Sequence, residues 1–130
     1  MKFKYKKYGS ILRPVIPVRI EHKDRFVNYE ALVDSGADFC IFDAQMGEIL
    51  GIDVMNGEEK KVFGITGVAE NYYVHEVTIK VGGWPYRVEA GFLPAIARMG
   101  YGVLGQKGFF DMFVVKFDLS KEEIELKERK

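Results

Sequence analysis

The chain has 130 residues, of which 48% are hydrophobic and 14% aromatic, and its 19 basic side chains are balanced by 19 acidic ones. This length suits one domain with one compact core, so we expect residues 1–130 to form a single domain. The zero net charge argues against nucleic-acid binding, because a phosphate-binding face needs a surplus of Lys and Arg. No stretch approaches the ~18 consecutive apolar residues of a membrane span, so the sequence predicts a soluble protein without a membrane partner.

The N-terminal third of the chain predicts a tail and then a pair of strands. Residues 1–10, "MKFKYKKYGS", are basic, and such a charged run is usually a solvated tail. Residues 15 to 22 and 26 to 33 alternate between apolar and polar side chains across a charged turn, which is typical of two paired, half-buried strands. Pro14 and Pro17 indicate that the first of these strands is bent or lies at an edge.

The rest of the chain predicts short helices between further strands. Asp43 can cap a helix over residues 44 to 50, which ends before Gly51. Gly82-Gly83 separates two apolar runs and accepts the positive φ angles of a tight hairpin. Residues 106 to 113 are a second helix candidate, and residues 114 to 127 predict a closing hairpin. The pattern predicts a mainly β fold, a small closed sheet or barrel with one or two short helices.

Cysteine and histidine give little sign of nucleophilic or metal chemistry. Cys40 is the one cysteine, which excludes an intramolecular disulfide and fits a reducing compartment such as the cytoplasm. It lies between Phe39 and Ile41 in an apolar run, so a buried packing thiol is the better interpretation than a nucleophile. His22 and His75 are far apart in sequence, and neither stands near a second ligand at zinc spacing. We therefore expect no metal and no cofactor.

One stretch, "EALVDSGADFCIF" over residues 30 to 42, places an ionisable carboxylate at the end of an apolar strand. Asp34 is followed by Ser35, Gly36 and Ala37. Each of the residues Asp, Ser and Gly is a turn former, and an Asp side chain often caps neighbouring backbone N–H groups. Asp34 can therefore be a turn residue in a structural β-domain, or it can be part of a functional site.

The surroundings of Asp34 resemble the retropepsin-like aspartic proteases. The first active-site strand of that family reads apolar-apolar-Asp-[Thr/Ser]-Gly-Ala, and this chain has "LVDSGAD". The family's second element is a strand ending apolar-apolar-Gly, which corresponds to Val103-Leu104-Gly105. Between them the family has a glycine-rich β-hairpin flap, and "VFGITGVAENYYV" (62 to 74) lies in the right interval. The resemblance runs from about Ile11 to Lys127 and implies a small closed β-barrel of the retropepsin (acid protease) type.

The resemblance implies a role for each residue of the active-site loop. Asp34 would be the catalytic carboxylate, and Ser35 would hydrogen-bond across to the equivalent loop of a partner. Gly36 would let two backbones approach closely, because it has no Cβ. Ala37 and Asp38 would line the cleft that holds the substrate backbone.

The other two matched elements would cover and support this loop. The flap tip would fold over the bound peptide, so we expect residues 63 to 72 to be more mobile than the strands around them. Val33, Ile65 and Leu104 near the proposed cleft predict a preference for apolar side chains at the cut. The implied substrate-binding residues of the flap are Gly64, Ile65, Thr66 and Gly67, and the implied packing residues of the second element are Val103, Leu104 and Gly105.

The chemistry of this family implies a homodimer. Two carboxylates about 3 Å apart share one proton, so that one activates a water and the other polarises the scissile carbonyl. The chain has a single D-[ST]-G motif, so the second carboxylate would be Asp34 of a second copy. The remaining aspartates lie in turns or beside helices without that context: Asp24, Asp43, Asp53, Asp111 and Asp118.

One position departs from the family pattern. Gln106 follows the glycine of the second element, where many members have an Arg that pairs with the acid after D-[ST]-G-A. Asp38 would therefore need another partner.

These observations predict an aspartic endopeptidase that acts on polypeptides as a homodimer. The alternative is a non-catalytic peptide-binding module with the same fold, which would use the cleft and the flap edge to add a peptide as a strand.

Overall fold

The structure is a computed structural model that describes residues 1–129, with the side chains at 95, 97 and 98 excepted. No helix in this described part is long and apolar enough to cross a membrane. The strands are Lys2–Lys4 (β1), Lys6–Tyr8 (β2), Ile11–Arg13 (β3), Val15–His22 (β4), Arg25–Val33 (β5), Ile41–Asp43 (β6), Glu58–Phe63 (β7), Ala69–Val81 (β8), Trp84–Leu93 (β9), Gly102–Leu104 (β10), Phe113–Asp118 (β11) and Glu123–Glu128 (β12). Among these described residues, one α-helix spans Ala44–Ile49 (α1), and short 3-10 helices span Val54–Asn56 and Pro94–Met99.

The main sheet closes on itself. Its strand order is β4-β5-β10-β6-β9-β8-β7, and β4 pairs additionally with β8. The ring therefore consists of β4, β5, β10, β6, β9 and β8. Strand β7 lies outside this ring and pairs with the first half of β8. This mainly β architecture, a closed sheet with one short α-helix among the described residues, agrees with the predicted fold class.

Three predicted hairpins are confirmed, and the closing one consists of β11 paired antiparallel with β12. Strands β4 and β5 pair from Val15↔Leu32 to His22↔Arg25, and Lys23 in their turn has a φ of 55°. Strands β8 and β9 meet at Val81↔Trp84. Gly82 and Gly83 between them have φ angles of 56° and 83°, as a two-residue hairpin turn of this kind requires.

Pro17 lies in the part of β4 that pairs with β5 only. Strand β4 pairs with β8 from Arg19 to Glu21, whereas Pro17 pairs only with Glu30 of β5. The missing N–H of proline therefore leaves no gap in a two-sided ladder.

The N-terminal segment is not a free tail. Strand β1 pairs with β12, and β2 pairs with β3. Phe3 and Tyr5 pack against the core, and the N-terminal amino group of Met1 donates to Leu126 O at 3.0 Å. The basic side chains of residues 1–10 suggested a tail, but alternating aromatic residues between the lysines give the segment an apolar face that packs on the barrel.

The first predicted helix forms and the second does not. Asp43 Oδ1 accepts a hydrogen bond from Gln45 N at 2.9 Å and caps α1, and Gly51 follows its end with a φ of 79°. Residues 106 to 112 form a series of turns instead of a helix. Gly108 within them has a φ of 102°, which a helix does not contain, and the prediction of a helix there is wrong.

The core lies inside the ring and beneath the terminal strands. Its largest fully buried side chains include Phe42, Phe92, Phe109 and Phe113. The Phe42 and Phe92 rings meet edge-on with centroids 6.0 Å apart, a favourable arrangement for aromatic pairs. A smaller apolar cluster of Ile41, Tyr72, Leu93 and Ile96 lies apart from this core, and its outer edge contributes to the candidate site.

Candidate active site

Asp34 follows the last residue of β5 and is held by the strand beside it. Strands β5 and β10 run parallel, with Val33 opposite Leu104. Asp34 N donates to Leu104 O at 3.0 Å, and Val33 N donates to Pro14 O at 2.8 Å. The end of β5, where Ala31 and Val33 are buried, therefore fixes the backbone of Asp34, which is itself half-buried.

The carboxylate of Asp34 is held within its own loop. Asp34 Oδ1 accepts a hydrogen bond from Gly36 N at 2.9 Å, and Ala37 N donates to Asp34 O at 3.2 Å. A Cβ on Gly36 would lie 3.2 Å from Asp34 Oδ1, so a larger residue would crowd the carboxylate. Ser35 and Gly36 are both exposed on the surface. Asp34 itself is half-buried, so part of its surface is accessible.

Residues 105 to 107 hold the loop in place from the other side. Gln106 N donates to Ala37 O at 2.8 Å, and Lys107 N donates to Asp38 O at 2.9 Å. The Gln106 side-chain amide donates to Ser35 O. The Gln106 side chain thus holds the loop through the backbone carbonyl of Ser35. The sequence comparison with the family pattern did not predict this role.

Gly105 sits where only a glycine fits. A Cβ at this position would lie 2.4 Å from Phe39 O and 2.7 Å from Ala37 O. Both neighbours are backbone atoms, which cannot move aside without moving the loop that carries Asp34.

A cleft of about 240 Å³ opens beside the loop. Asp38 is exposed at this cleft, and Phe39 and Tyr72 form part of its wall with ring centroids 6.4 Å apart. Burial raises the pKa of the Tyr72 hydroxyl, and the charges of Asp38 and Glu58 raise it further, so this wall stays neutral. The lining residues are Gly36, Ala37, Asp38, Phe39, Ile41, Lys61, Val62, Phe63 and Tyr72.

Several lining residues were not among the predicted site residues. Ile41, Val62 and Tyr72 come from three different strands, and only the paired sheet brings them together. The alternation of β7 could have indicated that Val62 faces inward.

The expected flap residues lie at a hairpin tip, which we define as residues 64 to 68 between β7 and β8. Gly64 N donates to Val68 O at 3.2 Å, and Gly67, with a φ of 80°, donates through its N to Gly64 O at 2.9 Å. Every residue of the hairpin tip is exposed, and Ile65 is 109% exposed. None of Gly64, Ile65, Thr66 and Gly67 lines the cleft described above.

Two residues expected near the substrate pocket are buried. Val33 is 3% and Leu104 is 0% exposed, and both belong to the main core. They support the loop from below, so the apolar surface available to a ligand comes from the cleft residues instead. Val103 is half-buried and packs against the smaller cluster.

Cys40 is a packing residue, as the sequence predicted. Its side chain is fully buried, and Sγ lies 3.6 Å from Lys107 O. Burial raises the pKa of the Cys40 thiol to about 12, so the thiol is protonated at neutral pH and is not a nucleophile.

Three other aspartates are engaged in local structure. Asp43 caps α1, Asp111 Oδ1 accepts from Gly108 N at 3.0 Å, and Asp118 Oδ1 accepts from Ser120 Oγ at 2.7 Å. Hydrogen bonds from Ser120 and Lys121 lower the pKa of Asp118. Within residues 1–129, no group of three or more His, Cys, Asp or Glu side chains is placed to hold a metal ion.

Comparison with solved structures shows the same fold in two proteases. A retropepsin-like aspartic protease from Rickettsia conorii aligns with a TM-score of 0.70 at 12% identity, covering 97% of this chain and 89% of that one. EIAV protease, in a complex with the inhibitor HBY-793, aligns with a TM-score of 0.56 at 20% identity, covering 78% of this chain and 88% of that one. At these identities the likeness establishes the fold.

The family of the chain follows from a match between its sequence and a protein-family model. No curated protein sequence matches the chain. Residues 16–107, well over half of the chain, match a family model described as aspartyl protease, and this span contains the Asp34 loop, the hairpin tip and the second element. The chain therefore belongs to the aspartyl protease family and has the retropepsin-like fold.

Proposed function

We propose that the protein is an aspartic endopeptidase, a single protease domain whose active site forms across the two-fold axis of a homodimer. The observation that carries this proposal is the loop of Asp34. Its carboxylate follows the buried end of β5 and is oriented by Gly36 N at 2.9 Å, and the next residues of the same loop, Gly36 to Asp38, line a cleft with several apolar side chains in its walls.

In this mechanism Asp34 and its symmetry mate share one proton. The ionised carboxylate removes a proton from a water, and that water attacks the scissile carbonyl carbon. The protonated carboxyl donates a hydrogen bond to the carbonyl oxygen, where negative charge develops. The proton passes to the leaving amine when the tetrahedral intermediate collapses, which restores the shared state of the pair.

Exposed groups of the single chain are consistent with a partner at this site. Ser35 and Gly36 are uncovered beside Asp34, so a second loop can approach and Ser35 can hydrogen-bond across the axis. Phe63, Ile65 and Val68 are 65%, 109% and 62% exposed around the hairpin tip. Exposed apolar side chains grouped in this way are typical of surfaces that a ligand or a second subunit covers. Light scattering tests for the dimer. Incubation with a pool of random peptides at mildly acidic pH tests for cleavage.

We further propose that the hairpin tip acts as a flap. The tip has two backbone hydrogen bonds of its own and its residues are all exposed, which leaves it few interactions to resist opening. Amide hydrogen exchange in the free protein should therefore be fast from residue 64 to 68 and slow in β5 and β9. Strong protection throughout the hairpin tip would contradict this role.

The cleft walls predict a preference for apolar side chains beside the scissile bond. Phe39, Ile41, Val62, Phe63 and Tyr72 supply apolar surface, and burying such a side chain contributes about 1.5–3 kcal/mol. A cleavage-site profile from a peptide library should be enriched in Leu, Phe, Met and similar residues on both sides of the cut. A profile with charged residues on both sides would show that the cleft is not the binding site.

A further inference from the structure

The Asp34 loop is a β-turn whose central peptide bond joins Ser35 to Gly36. Ala37 N donates to Asp34 O at 3.2 Å, which is the hydrogen bond that closes a four-residue turn. We call the peptide group between Ser35 and Gly36 the turn peptide. Because a peptide group is planar and trans, Ser35 O and Gly36 N–H belong to one rigid unit and point in opposite directions.

Both ends of the turn peptide have a hydrogen-bond partner. Gly36 N donates to Asp34 Oδ1 at 2.9 Å, and the Gln106 side-chain amide donates to Ser35 O. The backbone of Gln106 is itself tied to the loop, since Gln106 N donates to Ala37 O at 2.8 Å. The Gln106 amide is therefore joined to the Asp34 carboxylate through a single peptide plane.

A turn of this sequence can hold its central peptide in two orientations. Type I and type II β-turns differ by a flip of that peptide, and type II requires a positive φ at the third residue, which glycine adopts readily. Gly36 is the third residue of this turn, but it is not among the glycines with a positive φ in residues 1–129. The observed turn is therefore not of type II, although its sequence permits that type.

A flip of the turn peptide would remove the hydrogen bond that orients Asp34. Gly36 N–H would turn away from Asp34 Oδ1, and Ser35 O would turn toward it, because the two groups point in opposite directions. A carbonyl oxygen accepts hydrogen bonds and cannot donate one to a carboxylate. A donor bound to Ser35 O resists this flip, and Gln106 supplies such a donor.

We propose that Gln106 is a positioning residue, which holds the turn peptide so that Gly36 N–H stays on Asp34 Oδ1. The inference rests on the proposed protease function, since the Asp34 carboxylate must face its symmetry mate. Gln106 acts through the turn peptide and not by contact with the reacting atoms. Ser35 and Gln106 are exposed in the single chain, so water competes for their hydrogen bond, and we expect the effect of one net hydrogen bond.

Gln106→Met removes the donor and nearly keeps the length of the side chain. Its kcat should fall about tenfold, the rate equivalent of one hydrogen bond. KM should change less, because the apolar walls of the cleft are untouched. The bond from Gln106 N to Ala37 O is made by the backbone, so Tm should stay close to that of the wild type, as for most exposed substitutions.

Gln45→Met provides a matched control. It makes the same chemical change at an exposed site on α1, and it should keep the wild-type kcat. All three proteins are compared at a concentration where light scattering shows the same oligomeric state. Wild-type kcat in Gln106→Met, or an equal loss in Gln45→Met, would overturn the inference.

The amide resonances of Gly36 report on the turn peptide directly. A hydrogen bond to Ser35 O polarises the whole peptide group, so its loss should move the Gly36 nitrogen and proton resonances to lower frequency. NMR spectra are recorded for the Asp34→Asn variant, in which residue 34 no longer titrates and still offers an oxygen to Gly36 N. Adding Gln106→Met should shift both Gly36 resonances, and adding Gln45→Met should not.

Gln106→Glu makes the donor depend on pH. A protonated carboxyl can donate its O–H to Ser35 O, whereas an ionised carboxylate has no donor. Added to Asp34→Asn, this change should shift the Gly36 resonances as the pH rises through about 4.3, where an ordinary Glu ionises. Asp34→Asn alone retains Asp38, the other carboxylate of the loop, and its spectra reveal any shift that Asp38 causes.

These spectra distinguish the inference from the proposed function, because they require no cleavage. Gly36 resonances that neither Gln106→Met nor Gln106→Glu moves would overturn the inference. The expected shifts in a protein that cuts no peptide would support the contact of Gln106 with the turn peptide and would contradict the protease function. Cleavage with wild-type kcat in Gln106→Met would leave the protease function standing and would overturn the positioning role.

Discussion

Replacing Asp34 by Asn should abolish peptide cleavage, with a loss of at least about 1,000-fold in kcat, because a positioned acid–base group is removed from the transition state. The fold should survive the change. The bonds from Asp34 N to Leu104 O and from Ala37 N to Asp34 O are made by the backbone. The Asn side-chain oxygen can still accept from Gly36 N, as Asp34 Oδ1 does at 2.9 Å.

Asp43→Asn provides a matched control. Asp43 is a buried helix cap whose Oδ1 accepts from Gln45 N at 2.9 Å, and Asn is an equally good cap. This variant should keep wild-type kcat, and thermal unfolding should show both variants folded. Retained cleavage in Asp34→Asn, or an equal loss in Asp43→Asn, would show that Asp34 is a turn residue and not a catalytic group.

Gly105→Ala should damage both stability and activity. The added Cβ would stand 2.4 Å from Phe39 O and 2.7 Å from Ala37 O, so the backbone of the Asp34 loop must shift. Forced overpacking of this kind costs about 3 kcal/mol, which corresponds to a fall in Tm of about 10 °C. Because the shift moves the loop that carries Asp34, kcat should fall in whatever fraction of the protein remains folded.

Gly64→Ala is the comparison for stability. Nothing lies within 4 Å of a Cβ at Gly64, so its Tm should stay within a few degrees of the wild type. Calorimetry of the two variants side by side checks this difference. Equal Tm values for Gly105→Ala and the wild type would mean that the contact between residue 105 and the loop is not tight in the folded protein.

Local signals explain which parts of the fold the sequence predicted. The hairpin at Gly82-Gly83 was predictable because its turn requires positive φ angles at both residues. This requirement depends on those two residues alone. The strand before Asp34 was predictable because every second residue from Val27 to Val33 is apolar or aromatic, and Val27, Ala31 and Val33 are buried. The helix cap at Asp43 depends on residues only two positions apart.

Non-local contacts explain what the sequence did not predict. The N-terminal strand pairs with residues 123 to 125, and no local pattern indicates a partner more than a hundred positions away. The turns after Gly105 replace the expected helix because Gly108 has a φ of 102°, and Gln106 and Lys107 donate their N–H groups to the Asp34 loop. In the candidate site, Phe39 and Tyr72 face the same cleft only because β7, β8 and the loop meet in the folded sheet.

Subunit mixing tests most directly whether Asp34 acts as half of a shared pair. Wild-type protein is mixed with Asp34→Asn protein at a fixed total concentration, the subunits are allowed to exchange, and peptide cleavage is measured against the wild-type fraction. If each site needs Asp34 from both subunits, activity should follow the square of that fraction, so that an equal mixture retains about one quarter of the activity of the same amount of wild-type protein. Activity that falls in direct proportion to the wild-type fraction would show that one chain works alone and would contradict the shared active site.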